Sequence, residues 1–163
     1  NCLIINMKYD QKISVQDQYA KRSICYGCGP SNDKGLQIKS FRSKEGLKLF
    51  FKTKPEHQAF PGVINGGVIG SLFDCHGNWA AAVALLDSGN YSDLPSTVTA
   101  SYNVQMLRPT PYGKILEITA VINSLSTDRV EVSLDLLCED VLCAKGQGLF
   151  IAVKKDHPAY HRW

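Results

Sequence analysis

Only one long stretch of this chain repeats its apolar residues with the period of about 3.6 that marks a helix. It runs from Gly66 to Leu86. Ile69, Leu72, Phe73, His76, Ala80 and Val83 recur at helical spacing, with Trp79 and Leu86 alongside. Strand-like sequence lies on both sides. Leu36–Arg42 and Leu47–Thr53 precede the helix, joined at Ser43-Lys-Glu-Gly46 as a hairpin. Four strand candidates follow it: Val98–Met106, Ile115–Ile122, Val130–Leu136 and Ala144–Val153. The short links between the last four imply an antiparallel sheet. A lone helix must bury its apolar stripe on one face of that sheet, so the expected class is α+β. Ile115–Ile122 is mostly apolar and reads as a strand buried on both faces. Residues 24–35, Lys54–Gly62 and Asp87–Pro95 read as turns and loops. Ser14-Val-Gln-Asp17 reads as the opening of a short helix.

Size and charge narrow the possible partners. The chain has 163 residues and a mass of 18.0 kDa, enough for one domain. Eighteen lysines and arginines against 15 aspartates and glutamates leave a net charge of +3. No basic run accompanies that excess, so neither nucleic acid nor an anionic membrane is an expected partner. The apolar patch Cys2–Ile5 is followed at once by Lys8, Asp10 and Lys12, which argues against a secretory signal. The longest apolar stretch, Trp79–Leu86, is far below the roughly 18 residues needed to span a bilayer. A cytoplasmic protein is expected.

Six cysteines stand at positions 2, 25, 28, 75, 138 and 143. Cys25-Tyr-Gly-Cys28 has the spacing of a redox or zinc-ligand pair. A tetrahedral zinc site would want a second close pair, and Cys138 and Cys143 are loosely spaced for that role. A redox motif should follow a strand and open a helix, whereas Gly27, Gly29, Pro30 and Asn32 make a turn. The expectation is reduced loop cysteines and no metal, with a Cys25/Cys28 metal module as an alternative. Cys75 reads as a small core residue.

The richest segment is the start of the long helix, Asn65-Gly-Gly-Val-Ile-Gly-Ser-Leu-Phe-Asp74. Asn65 is a good N-cap. Gly66 and Gly67 then cost roughly 1 kcal/mol each relative to alanine. The usual return is a close approach to the backbone. Free N–H groups at a helix start suit an anion or a polarised carbonyl oxygen. Asp74 shares its helix face with Gly67, Gly70, Ser71, Gly77, Asn78 and Ala81, all small. That strip is either a ligand slot beside a carboxylate or a surface for close packing. His76 reads as a core histidine, and His57 sits in a loop within possible reach. Thr99, Ser101, Asn103 and Gln105 form a polar row on one strand, either a solvated face or the wall of a cleft.

Three segments together resemble the hotdog-fold thioesterases. Cys25-Tyr-Gly-Cys-Gly-Pro-Ser-Asn-Asp-Lys-Gly-Leu36 looks like their opening segment. Asn65-Gly-Gly-x6-Asp74 is similar to their His-Gly-Gly-x6-Asp/Glu motif. Thr99-Ala-Ser-Tyr-Asn-Val-Gln-Met-Leu-Arg-Pro-Thr-Pro111 looks like the strand that follows. The likeness covers roughly residues 24–153. It implies a hotdog fold, one long central helix wrapped by a curved antiparallel sheet of about five to six strands. It divides the chain into an N-terminal extension (1–23), a thioesterase-like domain (24–155) and a C-terminal tail (156–163). It also implies a homo-oligomer, dimer or tetramer, with sites between subunits.

The implied activity is hydrolysis of an acyl-CoA-type thioester without a cofactor. Asp74 would be the general base or nucleophile. Thr99 would position water or substrate, and Asn65 stands where the family has histidine. The backbone N–H of Gly67 or its neighbour Gly66 would polarise the carbonyl, with Ser71 and Asn78 lining the substrate slot. Asparagine can cap the helix and donate a hydrogen bond, but it cannot shuttle a proton near neutral pH. A non-catalytic protein that binds an acyl group or CoA is therefore the alternative. Arg108, Lys114, Lys154 and Lys155 are candidates by charge for CoA phosphates.

Overall fold

The computed structural model describes residues 13–160. The patch Cys2–Ile5, most of the extension 1–23 and the last residues of the tail 156–163 lie outside the described residues. The elements in chain order are α1 (Val15–Tyr19), β1 (Ser40–Ser43), β2 (Gly46–Lys52), a 3-10 turn (Pro55–His57), β3 (Gln58–Phe60), β4 (Val63–Ile64), α2 (Gly66–Asp87), β5 (Thr97–Met106), β6 (Ile115–Leu125), β7 (Arg129–Cys138) and β8 (Val141–Ala152). One six-stranded sheet runs β1-β2-β6-β7-β8-β5, antiparallel throughout. α2 packs on one face of it, against β5, β6, β7 and β8. This is the hotdog architecture, α+β, with one helix on one sheet.

The helix begins and ends where its sequence says. Asn65 is extended, and its side chain accepts from the Gly67 N–H at 2.7 Å. Leu72, Phe73, Ala80, Ala81 and Leu85 go into the core against Leu49, Ile118, Val132, Leu134 and Phe150 of the sheet. Gly77 sets the distance between the layers. A Cβ there would lie 2.6 Å from the Phe150 ring, so only glycine lets the helix come this close. The short helix α1 also forms, capped by Ser14. Its Val15 and Gln16 are fully buried, and the Gln16 amide exchanges two hydrogen bonds with Ser40 of β1.

Several local expectations are corrected. The first strand starts at Ser40 rather than Leu36, because Gln37 has a positive φ of 55° and breaks the extended run. Leu36 and Ile38 are nonetheless core residues. Residues 54–62 are not plain loop: Pro61-Gly62 makes a turn, with Gly62 at φ 85°, that pairs β3 with β4. β8 begins at Val141 rather than Ala144. Glu139 and Asp140, both at positive φ, form a two-residue hairpin without the glycine that usually announces one. In β6, Leu116, Ile118 and Ala120 are buried while Ile115 is half exposed. Its outer face is therefore open within one chain, where burial on both faces was expected.

A β-bulge changes the polar row on β5. Thr99 pairs with Phe150 and Ser101 with Leu149, leaving Ala100 as the extra residue. The alternation flips there, as bulges cause. Thr97 and Thr99 face α2, and after the bulge Tyr102 and Met106 do so, lying against Gly70 and Gly66. Ser101, Asn103 and Gln105 point to the other face. The four residues thus belong to two surfaces rather than one wall.

Candidate active site

Asp74 sits in the middle of α2, half-buried, facing β5. The Thr99 hydroxyl donates to Asp74 Oδ1 at 2.6 Å. Asn78, one turn further along the helix, donates from Nδ2 to Thr99 Oγ1 and to the Thr97 carbonyl, both at 3.4 Å. The Thr97 hydroxyl in turn donates to Asn78 Oδ1. The relay Thr97–Asn78–Thr99–Asp74 therefore fixes one carboxylate oxygen. Oδ2 accepts no hydrogen bond from the described residues. Asp74 borders a cavity of about 150 Å³, lined also by Asn78, Trp79, Ala82, Leu94 and the cysteines at 25, 28 and 75. Its wall is mostly apolar with a carboxylate at one side, a form suited to an apolar group carrying one reactive polar centre.

The helix start is the second feature. Asn65, Gly66 and Gly67 are exposed. The Asn65 carbonyl accepts from Val68 and Ile69. Its side-chain oxygen occupies the Gly67 N–H, so the donors left open there are the Gly66 N–H and Asn65 Nδ2. A groove of about 410 Å³ begins at Gly66 and runs past Phe60, Ile69, Met106 and Arg108. The His57 carbonyl accepts from the Asn65 N–H at 2.9 Å and anchors this start from the 3-10 turn.

Not every expected residue joins these features. The Ser71 hydroxyl donates to the Gly67 carbonyl of its own helix. His57 is buried, stacked on Phe51, and its Nδ1 accepts from the Lys54 N–H. Burial holds its pKa below the ordinary histidine value. His76 is fully buried, and its Nδ1 shares a 2.8 Å hydrogen bond with Ser40. Its Nε2 faces the carbonyls of Leu47 and Ile118 without completing a hydrogen bond, and burial lowers its pKa to about 4. The strip of small residues divides: Gly77 and Ala81 pack on the sheet, while Gly67, Ser71, Asp74 and Asn78 border open space. Of the four basic candidates, Arg108 lies in the helix-start groove, and Lys114 pairs with Glu139.

One feature of the cavity wall was not foreseen. Cys75, read as a core residue, meets Cys25 and Cys28, and the three Sγ atoms lie within 4.8 Å of one another. Thiol donation from Cys28, then from Cys75, holds Cys25 far below the usual thiol range. The same contacts push Cys28 and Cys75 up. Cys75 lies 47 residues beyond Cys28 in the sequence, so only the fold joins it to the pair.

The family model of the thioesterase superfamily matches residues 61–144. A thioesterase superfamily protein from Shewanella loihica is 34% identical, with a TM-score of 0.65, over 85% of this chain and 99% of that one. The PaaI protein of E. coli, from the phenylacetic acid degradation operon, has the same fold at 16% identity, with a TM-score of 0.61 over 73% of this chain and 81% of its own. A thioesterase of Haemophilus influenzae does so at 18% identity and a TM-score of 0.64, over 75% and 84%. No curated protein sequence matches the chain.

Proposed function

The chain belongs to the thioesterase superfamily, and we propose that it hydrolyses an acyl thioester of the acyl-CoA type, with Asp74 as the base. The observation that carries this reading is the geometry at Asp74. One oxygen is pinned by Thr99, the other accepts no hydrogen bond from the described residues, and the residue borders a mostly apolar cavity. Asp74 Oδ2 takes a proton from a water held beside it. The hydroxide so formed attacks the thioester carbon. Negative charge collects on the carbonyl oxygen, where the Gly66 N–H and Asn65 Nδ2 donate to it. The C–S bond then breaks, the thiolate leaves, and the proton held on Asp74 returns to it. The products are a carboxylic acid and a free thiol.

One chain does not complete this site. Gly66 and Asp74 are just over two turns apart on α2, about 12 Å along the axis. Base and oxyanion donors must both stand about 3 Å from the reacting atoms. A second copy, bringing its own helix start to the Asp74 of the first, satisfies both. The exposed edge favours such pairing. β5 ends the sheet as a ten-residue strand, with Tyr102 45% and Met106 49% exposed and Phe60 nearby at 71%. Long apolar edges of this kind call for a partner.

The cavity also bears on the acyl group. A volume of 150 Å³ is of the order that accepts a benzene-sized group. Short or single-ring acyl groups are the preferred substrates. The test is release of free thiol from a panel of acyl-CoA esters. Wild-type protein releases thiol from butyryl- or benzoyl-CoA faster than from palmitoyl-CoA, and Asp74→Asn slows release by about 10²–10⁴ while keeping the fold. Equal rates for Asp74→Asn and wild type overturn the mechanism. Saturable ligand binding with no thiol release by the wild type selects instead the non-catalytic reading that Asn65, in place of histidine, suggests.

A further inference from the structure

Three sulfurs meet at the cavity wall. The turn Cys25-Tyr-Gly-Cys-Gly29 folds back onto α2, and Cys75 reaches it from the helix. Cys25 Sγ and Cys75 Sγ are 3.8 Å apart, and all three Sγ atoms lie within 4.8 Å of one another. Zn–S bonds of about 2.3 Å at tetrahedral angles place sulfurs about 3.8 Å apart. The spacing therefore already suits one central cation.

The surroundings favour ligation over plain packing. Two glycines make the approach possible. A Cβ on Gly27 would lie 2.3 Å from Cys75 Sγ, and one on Gly29 2.4 Å from the Cys25 backbone nitrogen. Trp79 Nε1–H donates to Cys28 Sγ at 3.2 Å. An outer donor of this kind orients a thiolate ligand and steadies its charge. No disulfide draws on these thiols.

We propose that Cys25, Cys28 and Cys75 form a binding site for a thiophilic divalent cation of the zinc class, with its fourth position facing the cavity beside Asp74. Three protein ligands and one open position is the pattern of zinc sites that exchange a ligand, as distinct from closed four-cysteine structural sites. Water, or a donor atom entering the cavity, takes the fourth position. The thiols ligate as thiolates, so each one still protonated gives up its proton on binding.

The site is tested with metal alone, in the absence of any thioester, so the outcome is independent of whether the protein hydrolyses one. The reduced full chain, stripped with a chelator, is titrated with cobalt(II). One cobalt binds per chain, with a strong thiolate-to-cobalt charge-transfer band and the visible bands of a tetrahedral site, and zinc(II) displaces it. Cys75→Ser and, at the exposed position, Cys25→Ser each lose about one third of the charge-transfer intensity and bind at least about tenfold more weakly. Cys138→Ser, on a distant hairpin, binds as the wild type does. Failure of the reduced wild type to bind cobalt, or wild-type binding by both Cys25→Ser and Cys75→Ser, overturns the proposal.

Discussion

Asp74 and His76 stand two residues apart on α2 and show how the helix face decides a side chain's role. Asp74 points toward β5 and open space; His76 points into the core. His76 Nδ1 contacts Ser40, which Gln16 also engages, so the ring belongs to a buried polar chain that ties α1 and β1 to α2. Its pH behaviour follows. The folded protein lowers the His76 pKa to about 4 from an ordinary 6.5. The neutral ring is therefore favoured in the folded state, and the unfolded chain binds more protons between those two values. Stability is fully present above about pH 6.5 and falls as the pH drops toward 4, by about 3 kcal/mol from this one group. Urea unfolding at a series of pH values, compared with His76→Gln, measures it. The wild type should lose stability on acidification more steeply than the variant, and parallel curves would count against the assignment. Neither this network nor the thiol cluster could be read from the sequence. Each joins residues far apart in the chain, and only the packing of α2 against the first strands and the preceding turn brings them together.

The elements themselves were largely written in the sequence. α2 was readable because three signals agreed: an apolar period, an asparagine cap and a stop at Asp87 before a polar loop. The β-hairpin at Ser43–Gly46 was readable from its turn residues. The bulge at Ala100 was not, since nothing in Thr-Ala-Ser marks an extra residue. That one residue decides that Thr99, and not Ser101, faces the helix carboxylate. The start of α2 yields a clean test of the oxyanion donor. Gly66 is the first helical residue, where proline is tolerated because that N–H has no partner inside the helix. Asn65, with φ −64° and ψ 135°, already has the backbone that a following proline requires. A side chain at Gly66 meets nothing closer than Met106, at 3.5 Å. Gly66→Pro should therefore keep the helix, with circular dichroism and thermal stability near wild type, while thiol release falls by about 10²-fold through loss of one donor. Undiminished turnover in a folded Gly66→Pro protein would remove this N–H from the mechanism.

At the scale of the whole molecule, the sheet has two unlike edges. β1 is short, four residues, and carries Arg42 paired with Asp87. β5 is long and apolar on the side of the helix start. The proposed base and oxyanion donors lie at different heights on one helix, and the proposed second copy docked along β5 would account for both features. No helix among the described residues is long and apolar enough to cross a membrane. Sequence resemblance suggested an oligomer. The separation along α2 supplies a physical reason for the proposed one, in which a second copy completes the site.

Subunit complementation tests this sharing most directly. Asp74→Asn and Gly66→Pro proteins are inactive alone if each lacks one half of every site. Co-expressed, they form mixed dimers in which one of the two sites takes an intact Asp74 from one copy and an intact helix start from the other. Random pairing then restores about a quarter of the wild-type rate of thiol release. A co-expressed mixture no more active than either parent, with mixed dimers confirmed by differently tagged chains, would contradict a site built from two copies.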